Sequence, residues 1–166
     1  DRLTSAYPEP GSVNGFNESF NYTTIGNINT ATREGATKYY CYPAAGSARP
    51  HAVIALPASP CPPTPTPTIS YDNNGNMESD GSRNLYWNVE NKPYQVISGT
   101  VTVNYTYDGD GTLVKKSVVN GDTTVYVGSI YEKNLTSGEI TKYYYAGAKR
   151  IAMRKGSQVY YLLTDQ

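Results

Sequence analysis

From Thr100 to Tyr107, polar and apolar side chains alternate without a break. A period of two marks a β-strand with one face turned inward. Asp108-Gly109-Asp110-Gly111 follows, which is turn chemistry, and Leu113 to Val119 predicts the returning strand. Asn120-Gly121 is a strong hairpin signal and leads into a strand over 123–131. Thr136-Ser137-Gly138 predicts another turn and Glu139 to Tyr145 another strand. A last hairpin runs from Arg150-Ile151-Ala152-Met153 through Lys155-Gly156 to Val159-Tyr160-Tyr161-Leu162-Leu163. No stretch holds the i, i+3, i+4 spacing for three turns, so no helix is expected. The pattern predicts an all-β chain built as an antiparallel meander.

The middle of the chain breaks this pattern. Residues 50–67 hold seven of the eleven prolines and end in Ser59-Pro60-Cys61-Pro62-Pro63-Thr64-Pro65-Thr66-Pro67. Proline removes ladder donors and favours extended polyproline geometry. Three segments follow: strands over 1–49, a Pro-rich loop or linker over 50–68, and a second block of strands over 69–166. A ligand for a proline-recognition module is conceivable in the middle segment, but composition alone does not name a reader, and a loop insertion is the simpler reading.

Composition adds one unusual feature. There are 17 Tyr against two Phe and one Trp. Tyrosine suits a pleated, half-buried surface, packing its ring while its hydroxyl reaches water or a partner. Formal charges cancel, 14 basic against 14 acidic, and they cancel locally too, with four of each sign in residues 1–70. No basic face is forced, so nucleic acid is a poor partner. No apolar run approaches the ~18 residues of a membrane span, and no signal peptide is visible. Both termini read as cuts from something longer. Cys41 and Cys61 are too few for a disulfide framework. They are expected as unpaired thiols, the alternative being a bridge across the Pro-rich segment in an oxidising compartment.

An internal repeat organises the rest. Tyr71-Asp72-Asn73-Asn74-Gly75-Asn76-Met77 has the form Tyr-Asp-x-x-Gly-Asn-apolar. Tyr22-Thr23-Thr24-Ile25-Gly26-Asn27-Ile28 departs from it at the Asp, and Tyr107-Asp108-Gly109-Asp110-Gly111-Thr112-Leu113 at the Asn. Trp87-Asn88-Val89-Glu90-Asn91-Lys92-Pro93 is a worn copy. The unit is physically coherent. An aromatic ends a strand, Asp or Asn caps backbone N–H groups just beyond it, Gly supplies a positive φ, and the apolar residue opens the next strand. Such elements bury little singly and must stack on their neighbours. The residues expected to carry this structural role are Tyr22, Gly26, Asn27, Tyr71, Asp72, Gly75, Asn76, Trp87, Tyr107, Asp108 and Gly111.

On these residues the chain resembles the YD-repeat family, which includes the bacterial Rhs proteins, cell-wall-associated repeat proteins and insecticidal toxin-complex shells. Asp1-Arg2-Leu3 looks like the tail of another copy, and Pro50-His51-Ala52-Val53 sits where many family members carry the same four residues. The run from Val125-Tyr126-Val127-Gly128 through Tyr143-Tyr144-Tyr145-Ala146-Gly147 and Arg150–Arg154 to Tyr160–Asp165 is similar to the end of an Rhs core. The family continues there with His, Leu and Gly, whereas Gln166 follows Asp165 here. The resemblance implies a long sheet ribbon spiralling into a hollow shell around a toxic C-terminal polypeptide, in a secreted or surface-exposed bacterial protein. The partners it implies are neighbouring repeats and the enclosed toxin domain. The toxin and the self-cleavage region lie beyond the matched run, so it implies no catalytic residue.

Other chemistry finds little footing. Cys41 and His51 could form a nucleophile–base pair, but no third orienting group is recognisable. Asp108-Gly109-Asp110-Gly111 has a superficial likeness to a calcium loop, yet the Glu required twelve positions from the start is replaced by Val119. No catalytic, metal or cofactor site is therefore expected. Exposed Tyr side chains and Trp87 could stack on sugars, which makes a carbohydrate- or cell-surface-binding module the rival reading. Asn17, Asn21, Asn104 and Asn134 begin Asn-x-Ser/Thr sites, which matter only in a eukaryotic secretory pathway.

Overall fold

A computed structural model describes residues 2–8 and 17–162. Asp1 and residues 163–166, at the two ends of the matched motifs, lie outside them. The described residues are all β, without a helix. The chain divides into two compact units, Asp1–Tyr71 with Ser79–Gly81, and Asp72–Glu78 with Ser82–Gln166.

The first sheet has four antiparallel strands in chain order: β1 (Ser5–Ala6), β2 (Glu18–Tyr22), β3 (Ile28–Arg33) and β4 (Ala36–Tyr39). Strands β3 and β4 close on Glu34-Gly35 with Arg33 opposite Ala36. Both loop residues have positive φ, 50° and 82°, which is the type I′ turn whose twist matches the flanking strands. The second sheet runs strictly in chain order through eleven strands. These are β5 (Ser70–Tyr71), β6 (Met77–Ser79), β7 (Arg83–Trp87), β8 (Pro93–Ser98), β9 (Val101–Tyr107), β10 (Leu113–Val118), β11 (Thr123–Val127), β12 (Tyr131–Asn134), β13 (Ile140–Ala146), β14 (Lys149–Lys155) and β15 (Gln158–Tyr161). The antiparallel meander read from the alternation is the observed topology.

The turns explain the path. Gly99-Thr100, Gly147-Ala148 and Gly156-Ser157 are two-residue loops between paired strands. In each the Gly alone has positive φ, the type II′ pattern. One local expectation needs correction. The strand over 123–131 is two strands, because Gly128 takes φ 53° and residues 128–130 turn. The hairpin expected at Asn120-Gly121 joins β10 and β11; Asn120 takes φ 58°, and the Gly121 N–H closes the turn on the Val118 carbonyl at 3.0 Å.

Burial is shallow, for a topological reason. Among the described residues, strands β7 to β15 contact no strands other than their ladder neighbours, so they form a single layer of strands. Most of its strand side chains are half-buried, and Ala152 is its one fully buried apolar residue among those described. Tyrosine fits such a single layer, since its ring covers neighbours while its hydroxyl stays near water.

The cysteines correct a further expectation. They are not unpaired thiols: Cys41 and Cys61 form a disulfide, with Cα atoms 5.6 Å apart, inside the span such a bond requires. Cys41 pairs with Ala55 in an isolated antiparallel bridge, which folds the chain back and brings the Pro-rich segment within reach. That segment contains no strand.

Candidate functional site

The four repeat copies form one recurring turn. Each is best described by its seven places, from the aromatic at the first to the apolar residue at the seventh. In every copy the second-place N–H donates to the sixth-place carbonyl: Thr23 to Asn27, Asp72 to Asn76, Asn88 to Lys92 and Asp108 to Thr112, at 2.8–3.0 Å. In every copy the fifth-place N–H donates back to the second-place carbonyl, at 2.9–3.1 Å. The fifth place is always left-handed, with φ 94° at Gly26, 91° at Gly75, 58° at Asn91 and 75° at Gly111. This requirement explains why glycine, or asparagine in its stead, stands there.

The second-place side chain caps the turn from inside. Asp72 Oδ1 accepts from the N–H groups of Asn74 and Asn76, both at 2.9 Å. Asn88 Oδ1 accepts from Glu90 and Lys92, and Asp108 Oδ1 from Asp110 and Thr112. Thr23 supplies its hydroxyl oxygen to Asn27 N–H at 3.0 Å. The carboxylate of Asp108 is thus spent on its own turn. Among the described residues, no group of three His, Cys, Asp or Glu side chains could hold a metal ion. Asp72 also accepts from Asn76 Nδ2 at 2.9 Å. That bond, with those from the backbone, holds its carboxyl below the ordinary value of 3.8, because each favours the charged form.

The first-place aromatic ties one copy to the one before. Trp87 Nε1 donates to the Met77 carbonyl at 2.8 Å, and Met77 is the seventh residue of the Tyr71 copy. Tyr107 Oη donates at 2.9 Å to the carbonyl of Pro93, the seventh residue of the Trp87 copy. Tyr22 docks likewise on Leu3 at 2.7 Å, the residue that ends the Asp1-Arg2-Leu3 tail. Tyr71 docks on Val53 at 2.8 Å, which ends Pro50-His51-Ala52-Val53. In a meander every second turn lies on the same edge of the sheet, and this places successive repeat turns side by side.

Two features escaped the sequence reading. The first is a further docking aromatic, Tyr42, whose hydroxyl donates at 2.8 Å to the carbonyl of Ile28, the seventh residue of the Tyr22 copy. Its spacing to Gly46 matches the motif, and Gly46 has φ 81°. Pro43 at the second place has no N–H to give, which disguised the copy; here the turn closes from Ser47 N–H to Ala44. The second feature is a clasp from the sixth place onto the next turn. Lys92 Nζ donates to the Gly111 carbonyl and lies 5.6 Å from the Tyr107 ring centre. The Arg2 guanidinium lies 5.4 Å from the Tyr22 ring centre and fills the space a Cβ on Gly26 would need. Asn76 Nδ2 reaches Asn91 Oδ1 at 2.8 Å. Asn27, 8% exposed, donates to the Pro50 carbonyl and accepts from His51 Nδ1 at 2.6 Å. Single-sequence pattern reading reveals no such long-range pairing, since the signal lies in which copy a side chain reaches. His51 is therefore engaged by Asn27, and Cys41, bonded to Cys61, offers no thiol for it to activate.

No protein-family model matches this chain, and no curated protein does.

Proposed function

We propose that this chain is a structural repeat segment of the YD-repeat type, part of a secreted or surface-exposed bacterial protein whose sheet encloses or presents a C-terminal toxin. One observation carries the reading: the same turn recurs at Tyr22, Tyr71, Trp87 and Tyr107, and each aromatic hydrogen-bonds a backbone carbonyl upstream, which for Trp87 and Tyr107 belongs to the residue that opens the strand after the preceding copy. Conserving a local turn needs only local bonds. Conserving the tie to the previous copy makes sense for an array that propagates, in which each unit stabilises its neighbour. A single-layer sheet with both faces half-exposed suits a wall. The residues that would carry the role hold backbone to backbone, and none is poised for bond-making.

Electron microscopy of the protein at its native length, combined with protease protection, tests this. A closed shell whose C-terminal polypeptide resists protease, and becomes digestible when Tyr107→Glu breaks the tie to Pro93, is the expected result. An open β-module with no enclosed polypeptide, and saturable glycan binding that falls on Trp87→Ala, would overturn it.

A further inference from the structure

The Pro-rich loop is held by little besides one covalent bond. Its entry is fixed where Cys41 N–H donates to Ala55 at 3.0 Å and Ile54 N–H to Cys41 at 2.8 Å. Its exit is fixed where the N–H groups of Thr68 and Ile69 both donate to the Ile54 carbonyl. Between these pins, among the described residues, no backbone–backbone hydrogen bond is made by residues 57–67. Six of those eleven residues are proline and have no N–H to offer. The disulfide from Cys61 to Cys41 is what tacks the middle of the loop to the first unit. There Pro62, Pro63 and Pro65 border a cavity of about 400 Å³ with Tyr40, Tyr42 and Ile54.

The two sulfurs differ in access. Cys41 is 1% exposed, whereas Cys61 is part-exposed on a segment without backbone ties. Thiol–disulfide exchange depends on which sulfur an incoming thiolate can reach. We infer that Cys41–Cys61 is a redox latch: a dithiol reductant opens it at Cys61 and frees the loop over 56–67, while strands β2 to β4 stay folded. The reductant's thiolate bonds to Cys61 Sγ, and Cys41 Sγ departs with the electron pair and takes a proton from water. The reductant's second thiol then displaces Cys61, leaving two protein thiols and one oxidised dithiol. The sheet survives because its ladder bonds, the two loop pins and the Tyr42 bond to Ile28 do not pass through residues 56–67. This inference is independent of the repeat-array reading.

Backbone amide order parameters of the whole chain, oxidised and then reduced with dithiothreitol, test the latch, with alkylation and mass measurement confirming two free thiols. The amides of Ala58, Ser59, Cys61, Thr64 and Thr66 should fall from the rigid range, about 0.85, to roughly 0.6 or below, with those of β2 to β4 unchanged. Cys61→Ser should match the reduced chain without any reductant. Loop amides that stay rigid after full reduction would overturn the inference. So would loss of order through β2 to β4, which would make the bond a staple of the whole unit.

Discussion

The fifth place of the turn is where single side chains decide most. Gly75 has φ 91° and open space where a Cβ would stand, whereas a Cβ on Gly111 would collide with Lys92 Nζ. Gly75→Ala should therefore cost only the left-handed strain, on the order of 1 kcal/mol. Gly111→Ala should cost more, because the Lys92 clasp must also move. Urea unfolding of both variants, with and without Lys92→Ala, isolates the difference as a coupling energy. If Lys92→Ala leaves the cost of Gly111→Ala unchanged, the clasp is absent. At the second place, Asn88→Ala strips the acceptor from two backbone N–H groups and should cost about 1 kcal/mol. Asp72 adds a pH dependence. Its carboxyl is held below its ordinary value in the folded chain, chiefly by the Asn76 side chain, so the stability it contributes is complete above pH 3.8 and is lost as pH falls through the lowered value. Asp72→Asn keeps one acceptor oxygen and should flatten that acid slope in urea midpoints measured across the range.

At the scale of strands and turns, the tyrosines set a limit on the alkaline side. Tyr126 and Tyr143 are held above the ordinary value of 10.0, by burial first and then by Glu132, to whose Oε1 the Tyr143 hydroxyl donates at 2.8 Å. The folded sheet keeps these protons longer than the unfolded chain, so the stability they contribute is present below pH 10.0 and is lost as pH rises through the raised values. Tyrosinate absorbance and far-ultraviolet circular dichroism, followed together, should show late-ionising tyrosines whose titration coincides with loss of strand signal. Late ionisation with an intact sheet would refute the link. This scale also separates what the sequence discloses from what it conceals. The alternation at 100–107 and the Gly-containing turns reveal strands and their order, because period two and positive φ are local facts. The single strand expected over 123–131 failed at Gly128-Ser129-Ile130, where no Asn, Asp or Pro accompanied the glycine. The choice between free thiols and a Cys41–Cys61 bond could not be made from sequence because it depends on the Cys41–Ala55 bridge, a contact between distant residues that no local pattern records. Tyr42 and the Arg2 and Lys92 clasps were hidden for the same reason.

For the molecule as a whole, the central claim is that the turns are copies of one unit and that each docks on the one before. A chain built this way should tolerate removal of a complete unit, since what remains presents the same aromatic to an equivalent carbonyl. Deleting residues 87–106 joins Tyr86 to Tyr107 and sets Tyr107 where Trp87 stood, facing Met77. Deleting residues 87–99 instead joins Tyr86 to Thr100 and leaves Tyr107 seven residues beyond the place of Trp87, an odd offset that turns it to the opposite face of the sheet and away from Met77. The measurement is cooperative urea unfolding of both deletions, monitored by circular dichroism and backdone amide spectra. The account predicts a folded sheet with a single transition in the second unit for the 87–106 deletion, with an amide hydrogen bond pattern of the repeat turn at 107–112, and loss of folding or register for the 87–99 deletion. If the two deletions unfold or aggregate alike, the turns are independent hairpins and the array does not exist.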